Sequence, residues 1–491
     1  MVASHYKTVV IGSGFGGSVL SNTLAEAGED VLLLERGPWR DTPAVRSTDV
    51  TDYAPFPRGL KAVFTLVNRL GSRLLPGNGV KLSSRGLFDI HLGKEMTVVC
   101  SNSVGGGSHV YSAMNVRPEK KDYWDGHAKQ VSSLKMEEHY EWMIEKMGAR
   151  RIIEADNVPN WTPEAFKDSE HFVASDTVEQ PEMSMRLEGY QSDYKDNSFF
   201  GSANGAKASL DKVMLVPALN NGLVIADRHE CLSIWGIAKD RYRLEVFDHK
   251  LKRRVYILAD NVVLACGTLN TLRILFHSRS IGGLHGMPAL GKGFAGNGDS
   301  VAWWALNDKK RDLSLGTPTH GRFGLRDPKT GKPMPGVNLT RYGFSGIDQL
   351  PLPSFIKRKL KSDAVLVGMG ADEANGMVIW SAGKMRINYK KSENPILDDV
   401  QRDFDEVACR SKSPVRYLKN FQLTVHPLGG ARLSASVKDG VVRHDGMIHD
   451  QKNLYVVDAS ALPAAPGTPP SMTIAAWSRH VALEMLRKAK R

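Results

Sequence analysis

"KTVVIGSGFGGSVLSNTLAEAGEDVLLLE", residues 7–35, decides how this chain folds. It opens on "KTVVI", a β-branched and apolar run that reads as a buried parallel strand. "GSGFGG" follows, with Gly12, Gly14 and Gly17 in G-x-G-x-x-G spacing. "SVLSNTLAEAG" then carries apolar residues at helical intervals and ends at Gly28, a helix stop. "DVLLLE" is a second strand, closed by Glu35. Each piece has a physical job. Gly12 permits a tight turn, Gly14 lets backbone come up to a pyrophosphate, and Gly17 lets helix and strand pack closely. The helix start, through Phe15 and Gly16, offers free N–H groups to phosphates. Glu35 is placed to accept hydrogen bonds from a ribose diol, and an acid there would repel a 2′-phosphate. A lone glycine motif is weak evidence. Strand, glycines, helix, second strand and terminal acid in this order predict a dinucleotide clamp.

The chain has 491 residues, room for two or three domains or one large interleaved fold. It is 42% apolar and 24% charged, which suits a large core and excludes wholesale disorder. The formal charge is +12, compatible with a basic solvated surface, a membrane surface or an anionic ligand. No Lys/Arg block resembles a nucleic-acid arm, so no nucleic-acid partner is expected. Cys100, Cys231, Cys266 and Cys409 are scattered, without the close spacing of a metal site, and no metal is expected. The opening "MVASHYKTVVIGSG" reads as a strand entering a fold, and no apolar run is long enough to span a bilayer. The expected location is cytoplasmic.

Further blocks continue the pattern. "VCSNSVGGGSH", residues 99–109, holds a second glycine cluster, Gly105, Gly106 and Gly107, behind a short apolar strand. Three glycines let backbone lie against a flat ring or a phosphate, or make a flexible loop. "NVVLACG", 261–267, is another buried strand, and "TLNTLRILFHS" starts a helix with Thr268 able to cap it. "NLYVVDAS", 453–460, is a third such strand closed by Asp458, and "SMTIAAWSRHVALEML" is an amphipathic helix. Nucleotide-domain strands therefore come from the beginning, middle and end of the chain, and the material between them is inserted. "TVHPLGG", 424–430, places His426, a side chain suited to proton transfer near neutral pH, in a turn.

These blocks, with "SVGGGSHVYSAMNVRP", "VVLACGTLNTLRIL", "VHPLGGARL" and "PGTPPSMTIAA", resemble the glucose–methanol–choline (GMC) flavoprotein oxidoreductases, most of all the cholesterol-oxidase-like branch. The resemblance runs in family order from residue 7 to about 485 and is poor over roughly 155–200 and 290–415. It implies an α/β fold with a discontinuous Rossmann-like FAD-binding domain, 1–154, 205–290 and 421–491, including a lid-like stretch at 55–85. An inserted α+β substrate domain built on an antiparallel sheet would take 155–204 and 291–420. It implies oxidation of an alcohol to a carbonyl: a base takes the hydroxyl proton while hydride moves to flavin N5. By motif matching, Gly12, Gly14, Phe15, Gly16, Gly17 and Glu35 hold the ADP half of FAD. Gly105, Gly106, Gly107 and Ser108 lie beside the pyrophosphate and flavin, Cys231 contacts the adenine side by its backbone, and Asp458 sits near the ribityl chain. Thr468 and Pro469 close the flavin site, and His426 matches the catalytic histidine.

Three departures qualify the resemblance. The family pairs its histidine with a second polar residue, Asn or His, where "GTPPSMTI" has Pro469, which has neither a polar side chain nor an N–H. Thr468, Ser471 or a residue of the inserted domain could substitute. The missing partner also leaves room for a lyase-like activity, and a non-catalytic flavin-binding protein is a third reading. Steroid-isomerising members use a glutamate where "GVNLTRYG" offers Asn338, a candidate active-site residue but no acid, so no coupled isomerisation is expected. His109 is one residue off the position of covalent FAD attachment, so FAD is expected to be non-covalent. "LKAVFTLVNRLGSRLL", 60–75, places Leu60, Val63, Phe64, Val67, Leu70 and Leu74 on one helical face, with Lys61, Arg69 and Arg73 around the other. With "LPLPSFIKRKLKS", 350–362, it either packs on the core or a partner subunit or forms a lid that docks peripherally on lipid. Trp303, Trp304 and Phe344 either line an apolar pocket or pack in the core. The expected substrate is a hydrophobic small-molecule alcohol.

Overall fold

The fold is described by a computed structural model covering residues 4–72, 75, 79–156, 158, 172–174, 181–186, 199–238, 240–332, 334, 336–419 and 421–490. Much of the stretch 155–204 expected to open the substrate domain, together with Arg73 and Leu74 of the lid-like stretch, lies outside those residues.

The strand His5–Ile11 sits in the middle of a seven-stranded sheet. It pairs in parallel with Val31–Glu35 on one side and with the second half of Arg253–Leu264 on the other. Val224–Asp227 extends the parallel set beyond Val31–Glu35, and Leu454–Val456 pairs in parallel with Val262–Leu264. Every residue of Val31–Glu35 is buried, as expected of a strand covered on both faces. The first half of Arg253–Leu264 instead pairs with an antiparallel meander, His229–Ile237 and Arg241–Asp248. The helix Phe15–Glu26 ends where the motif predicted, with Gly28 in the left-handed region at φ +79 and its N–H on Ala25 O. The C-terminal helix Ser471–Ala489 packs on it: the Ser478 hydroxyl donates to Gly16 O, and the fully buried Trp477 donates to Val456 O.

A second sheet has six antiparallel strands in the order Phe172–Ala174, Thr319–Leu325, Asn338–Tyr342, Ala364–Met369, Ser300–Trp304 and Val415–Tyr417. Phe323, Leu325, Leu339, Leu366 and Trp304 form one core with Val400, Phe404 and Val407 of the helix Ile396–Ser411. Trp304 is therefore core, whereas the partly buried Trp303 packs edge-on to Phe344 and donates its indole N–H to Asp363. Strand alternation puts Asn338, Thr340 and Tyr342 on the face away from that core, and Asn338 reaches Gly467 there.

A third sheet of five strands positions the chemistry. Gln422–Thr424 runs parallel to Met96–Ser101, with Thr424 opposite Val98. The two strands run in the same direction, so the second glycine cluster and the His426 turn both follow from the same end of the sheet. The same sheet overturns the helix expected over 60–75. A helical turn covers Gly59–Thr65, and Val67–Ser72 is a strand paired with Phe88–Leu92. Sheet pairing, with β-branched Thr65 and Val67 at the switch, overrides the helical periodicity. The turn buries Ala62 and Thr65 and leaves Leu60, Val63 and Phe64 exposed by 81%, 70% and 73%.

Candidate active site

The two glycine clusters meet. Gly106 has φ +51, and a Cβ added there would lie 2.6 Å from the Gly14 Cα. The packing at Gly17 is as tight: a Cβ would stand 1.8 Å from Gly12 O. Gly16 backs on Val457 O in the same way. Gly14 differs, because a Cβ there would meet nothing within 4 Å. It is the N-cap of the helix Phe15–Glu26, without a side-chain cap, and the first turn holds no acid. Uncapped N–H groups, a positive helix end and open space together fit a pyrophosphate. The fully buried Ser103 hydroxyl, which has no hydrogen-bond partner among the described residues, adds a polar group beside the cradle.

Glu35 accepts from Ser13 N–H at 3.0 Å, from the Ser13 hydroxyl at 2.7 Å and from Gly37 N–H at 2.7 Å. It thus ties the strand end to the first glycine loop, and burial raises its pKa. Gly105 N–H donates to the Ser13 hydroxyl, which joins the second loop to the first. Ser108 donates to Gly105 O and accepts from Leu210 N–H, so its hydroxyl holds the second loop in shape. Cys231 is buried at a bulge in the strand His229–Ile237. Thr268 does not cap its helix; its hydroxyl donates to Pro427 O at 2.6 Å. Asp458 stands at that helix start instead, accepting from Gly267 N–H, Thr271 Oγ1, Ser460 N–H and Ser460 Oγ.

His109 is fully enclosed, with Nε2 2.7 Å from Val104 O and 3.8 Å from Asp211. Burial lowers its pKa. Beneath it Lys207 is also fully buried, and its ammonium donates to His109 O and Tyr111 O. Burial takes that amine down to about 7.

His426 lies in a loop stitched to its surroundings by four ties. Leu428 and Ala295 exchange backbone hydrogen bonds, Gly429 N–H donates to Ala459 O, and Thr268 holds Pro427. The fourth tie is one that the sequence did not disclose. Asp299, 1% exposed, receives His426 Nδ1 at 2.9–3.0 Å, the Thr424 hydroxyl at 2.8 Å and Val425 N–H at 3.2 Å. Asn297, two residues earlier, accepts from Gly467 N–H and donates to Thr468 O. Asn338 donates to Gly467 O and accepts from Arg322. The Thr468 hydroxyl donates to Arg117 O. The Asn338 amide thus holds the loop that carries the buried Pro469, and the Thr468 hydroxyl ties that loop to Arg117. Sequence reasoning missed Asn297, Asp299 and Arg322. "GNGD" at 296–299 is a turn signal ending in an acid, but nothing in it points to a histidine 127 residues away.

Among the described residues no group of three His, Cys, Asp or Glu is arranged to hold a metal, and no helix is long and apolar enough to cross a membrane. A mostly parallel nucleotide sheet, two opposed glycine loops and a histidine paired with a buried carboxylate fit a nucleotide-dependent oxidoreductase. The comparisons agree: GMC oxidoreductase sequence profiles match residues 6–295 and 371–478, and the chain belongs to the GMC oxidoreductase family. Its members are FAD-binding flavoproteins, and this chain is an enzyme that acts on CH–OH donors. Relatives include a cholesterol oxidase from Acinetobacter baumannii, 25% identical over 96% of this chain and 92% of its own. A long-chain-alcohol oxidase from Arabidopsis thaliana is 21% identical over 98% of this chain and 67% of its own. The fold is shared with a formate oxidase from Aspergillus oryzae RIB40, at TM-score 0.65 and 14% identity over 100% of this chain and 99% of that one. It is also shared with a pyridoxine 4-oxidase from Mesorbium loti, at TM-score 0.63 and 16% identity over 98% and 99%.

Proposed function

We propose that this enzyme oxidises a hydroxyl group of a hydrophobic alcohol, of sterol, terpenoid or long-chain type, to a carbonyl, with His426 as the base. The observation that carries the reading is the His426 ring itself. Nδ1 is engaged by Asp299, so Nε2 is the nitrogen left to take a proton. The substrate class rests on the relatives, which are named as oxidases of cholesterol and of long-chain alcohols. FAD, when bound, supplies the two-electron acceptor at N5 to which the carbinol hydride moves. The glycine loops and the first helix would hold its pyrophosphate. Asn297 and Asn338 set the Gly467–Thr468 backbone, and His426 accepts the hydroxyl proton at Nε2. Asn338 brings a carboxamide rather than an acid, so a sterol would be oxidised without a coupled double-bond shift.

The deciding experiment is anaerobic mixing with sterols, terpenols, long-chain and aromatic alcohols. Bleaching of the yellow flavin by members of this panel is expected. In His426→Ala the flavin content stays and bleaching is abolished; retained bleaching near the wild-type rate would remove the base assignment. Turnover that leaves the flavin oxidised would instead establish the lyase reading.

The flavin is held without a covalent bond in this reading, because His109 Nε2 is already bonded to Val104 O. Acid precipitation should leave the flavin in the supernatant. The enzyme works in the cytoplasm, in keeping with four free and scattered cysteines. It also docks on anionic lipid, a reading supported by exposed Leu60, Val63 and Phe64 beside the exposed Lys61, and by the +12 charge.

A further inference from the structure

Building on His426 as the base, we infer that Asp299 is a positioning residue for the reaction: it fixes the imidazole tautomer and orientation where Pro469 supplies no second polar side chain. The geometry is specific to that role. Both Asp299 oxygens lie within 3.0 Å of Nδ1, so the carboxylate faces the ring edge squarely. A carboxylate that already receives the Thr424 hydroxyl and Val425 N–H acts as acceptor, so Nδ1 carries the hydrogen and Nε2 the lone pair. When Nε2 takes the substrate proton, the positive charge on the ring appears beside a buried negative partner. Thr424 and Val425 would anchor the loop to Asp299 without any histidine contact, so the Nδ1 bond is additional to what loop fixation needs.

The aspartate is placed by the turn that carries it. Asn297 and Gly298 have φ +59 and +61, and a Cβ at Gly298 would stand 2.5 Å from Gly370 O. That turn binds Gly467–Thr468 through Asn297 and His426 through Asp299, so one short segment sets the base against the loop bearing Pro469. The other titratable or charged groups around Asp299 are the Asp372 carboxyl, Tyr389 and Tyr342, with Arg322 beside Tyr342.

The test uses the holoenzyme. Asp299→Asn keeps the side-chain size but offers an amide to Nδ1. It should retain its flavin, reduce it at least about 100-fold more slowly, and leave the KM for alcohol nearly unchanged. A residue that only braced the loop would raise the KM for alcohol along with the loss of rate. A rate within about threefold of wild type, or a loss of rate matched by a raised KM, would overturn the inference. If His426→Ala is inactive at the same time, the base reading survives; if His426→Ala is active, the base reading itself falls. Should Asp299→Asn fail to fold, ¹⁵N-histidine spectra of the wild-type holoenzyme decide, with the His426 signals assigned by their loss in His426→Gln. A hydrogen on Nδ1 is expected, and a hydrogen on Nε2 overturns the inference.

Discussion

Asp372 hangs from the same turn as Asp299, accepting from Gly296 N–H at 2.8 Å and the Tyr389 hydroxyl at 2.9 Å. Burial pushes its carboxyl up to about 6. A carboxyl whose folded pKa is raised holds its proton while the unfolded chain has released it. Its stabilisation is full below about pH 4 and is lost as pH rises through about 6. The loss is about 3 kcal/mol at most. Denaturant unfolding of wild type and Asp372→Asn across pH 4 to 7 measures it: the variant should gain on wild type as pH rises, and parallel curves would refute the assignment. At this scale the sequence was legible where backbone needs a special residue. Gly17 and Gly106 stand where a Cβ would run into neighbouring backbone, so glycine is required there, whereas Gly14 faces open space. Acids are less legible. Glu35 and Asp458 stand at strand ends, but both serve local donors that no spacing reveals.

Elements were read well where one periodicity ran without interruption, as in Val31–Glu35 and Phe15–Glu26. They were misread at 60–75, where apolar residues at helical intervals divide between a turn and a strand. The error has a physical consequence, because the apolar side chains of that turn face solvent instead of a core. Leu60, Val63 and Phe64 make a hydrophobic tip beside the exposed Lys61, and Phe355 is 65% exposed on the basic helix Ser354–Lys361. Flotation with vesicles of phosphatidylcholine and phosphatidylglycerol should carry the protein at low salt, more weakly at moderate salt. Phe64→Asp should abolish flotation while flavin reduction by a short, soluble alcohol is kept. Flotation of Phe64→Asp equal to wild type, or none by wild type in either salt, would remove the lipid-docking reading.

The whole molecule is held together by its discontinuity. The nucleotide sheet takes strands from residues 5–11, 31–35, 224–264 and 454–456. The C-terminal helix ties the last strand to the first helix: the fully buried Trp477 donates to Val456 O and stacks on Trp124 with centroids 5.9 Å apart, and Ser478 donates to Gly16 O. Trp477→Ala should cost about 3–5 kcal/mol. Loss of flavin fluorescence quenching should coincide with global unfolding at a lowered midpoint; a midpoint within a degree of wild type would contradict this. By itself the sequence determined the dinucleotide clamp, the interleaved α/β plan and His426 as the candidate base. Those features are written in contiguous stretches whose spacing has one physical meaning. Tertiary structure alone decided what His426 can do. Its partner Asp299 and the Asn297 clamp on Gly467–Thr468 come from distant parts of the chain. Strand pairing brings such residues together, and pairing between distant strands leaves no periodicity in the sequence to read.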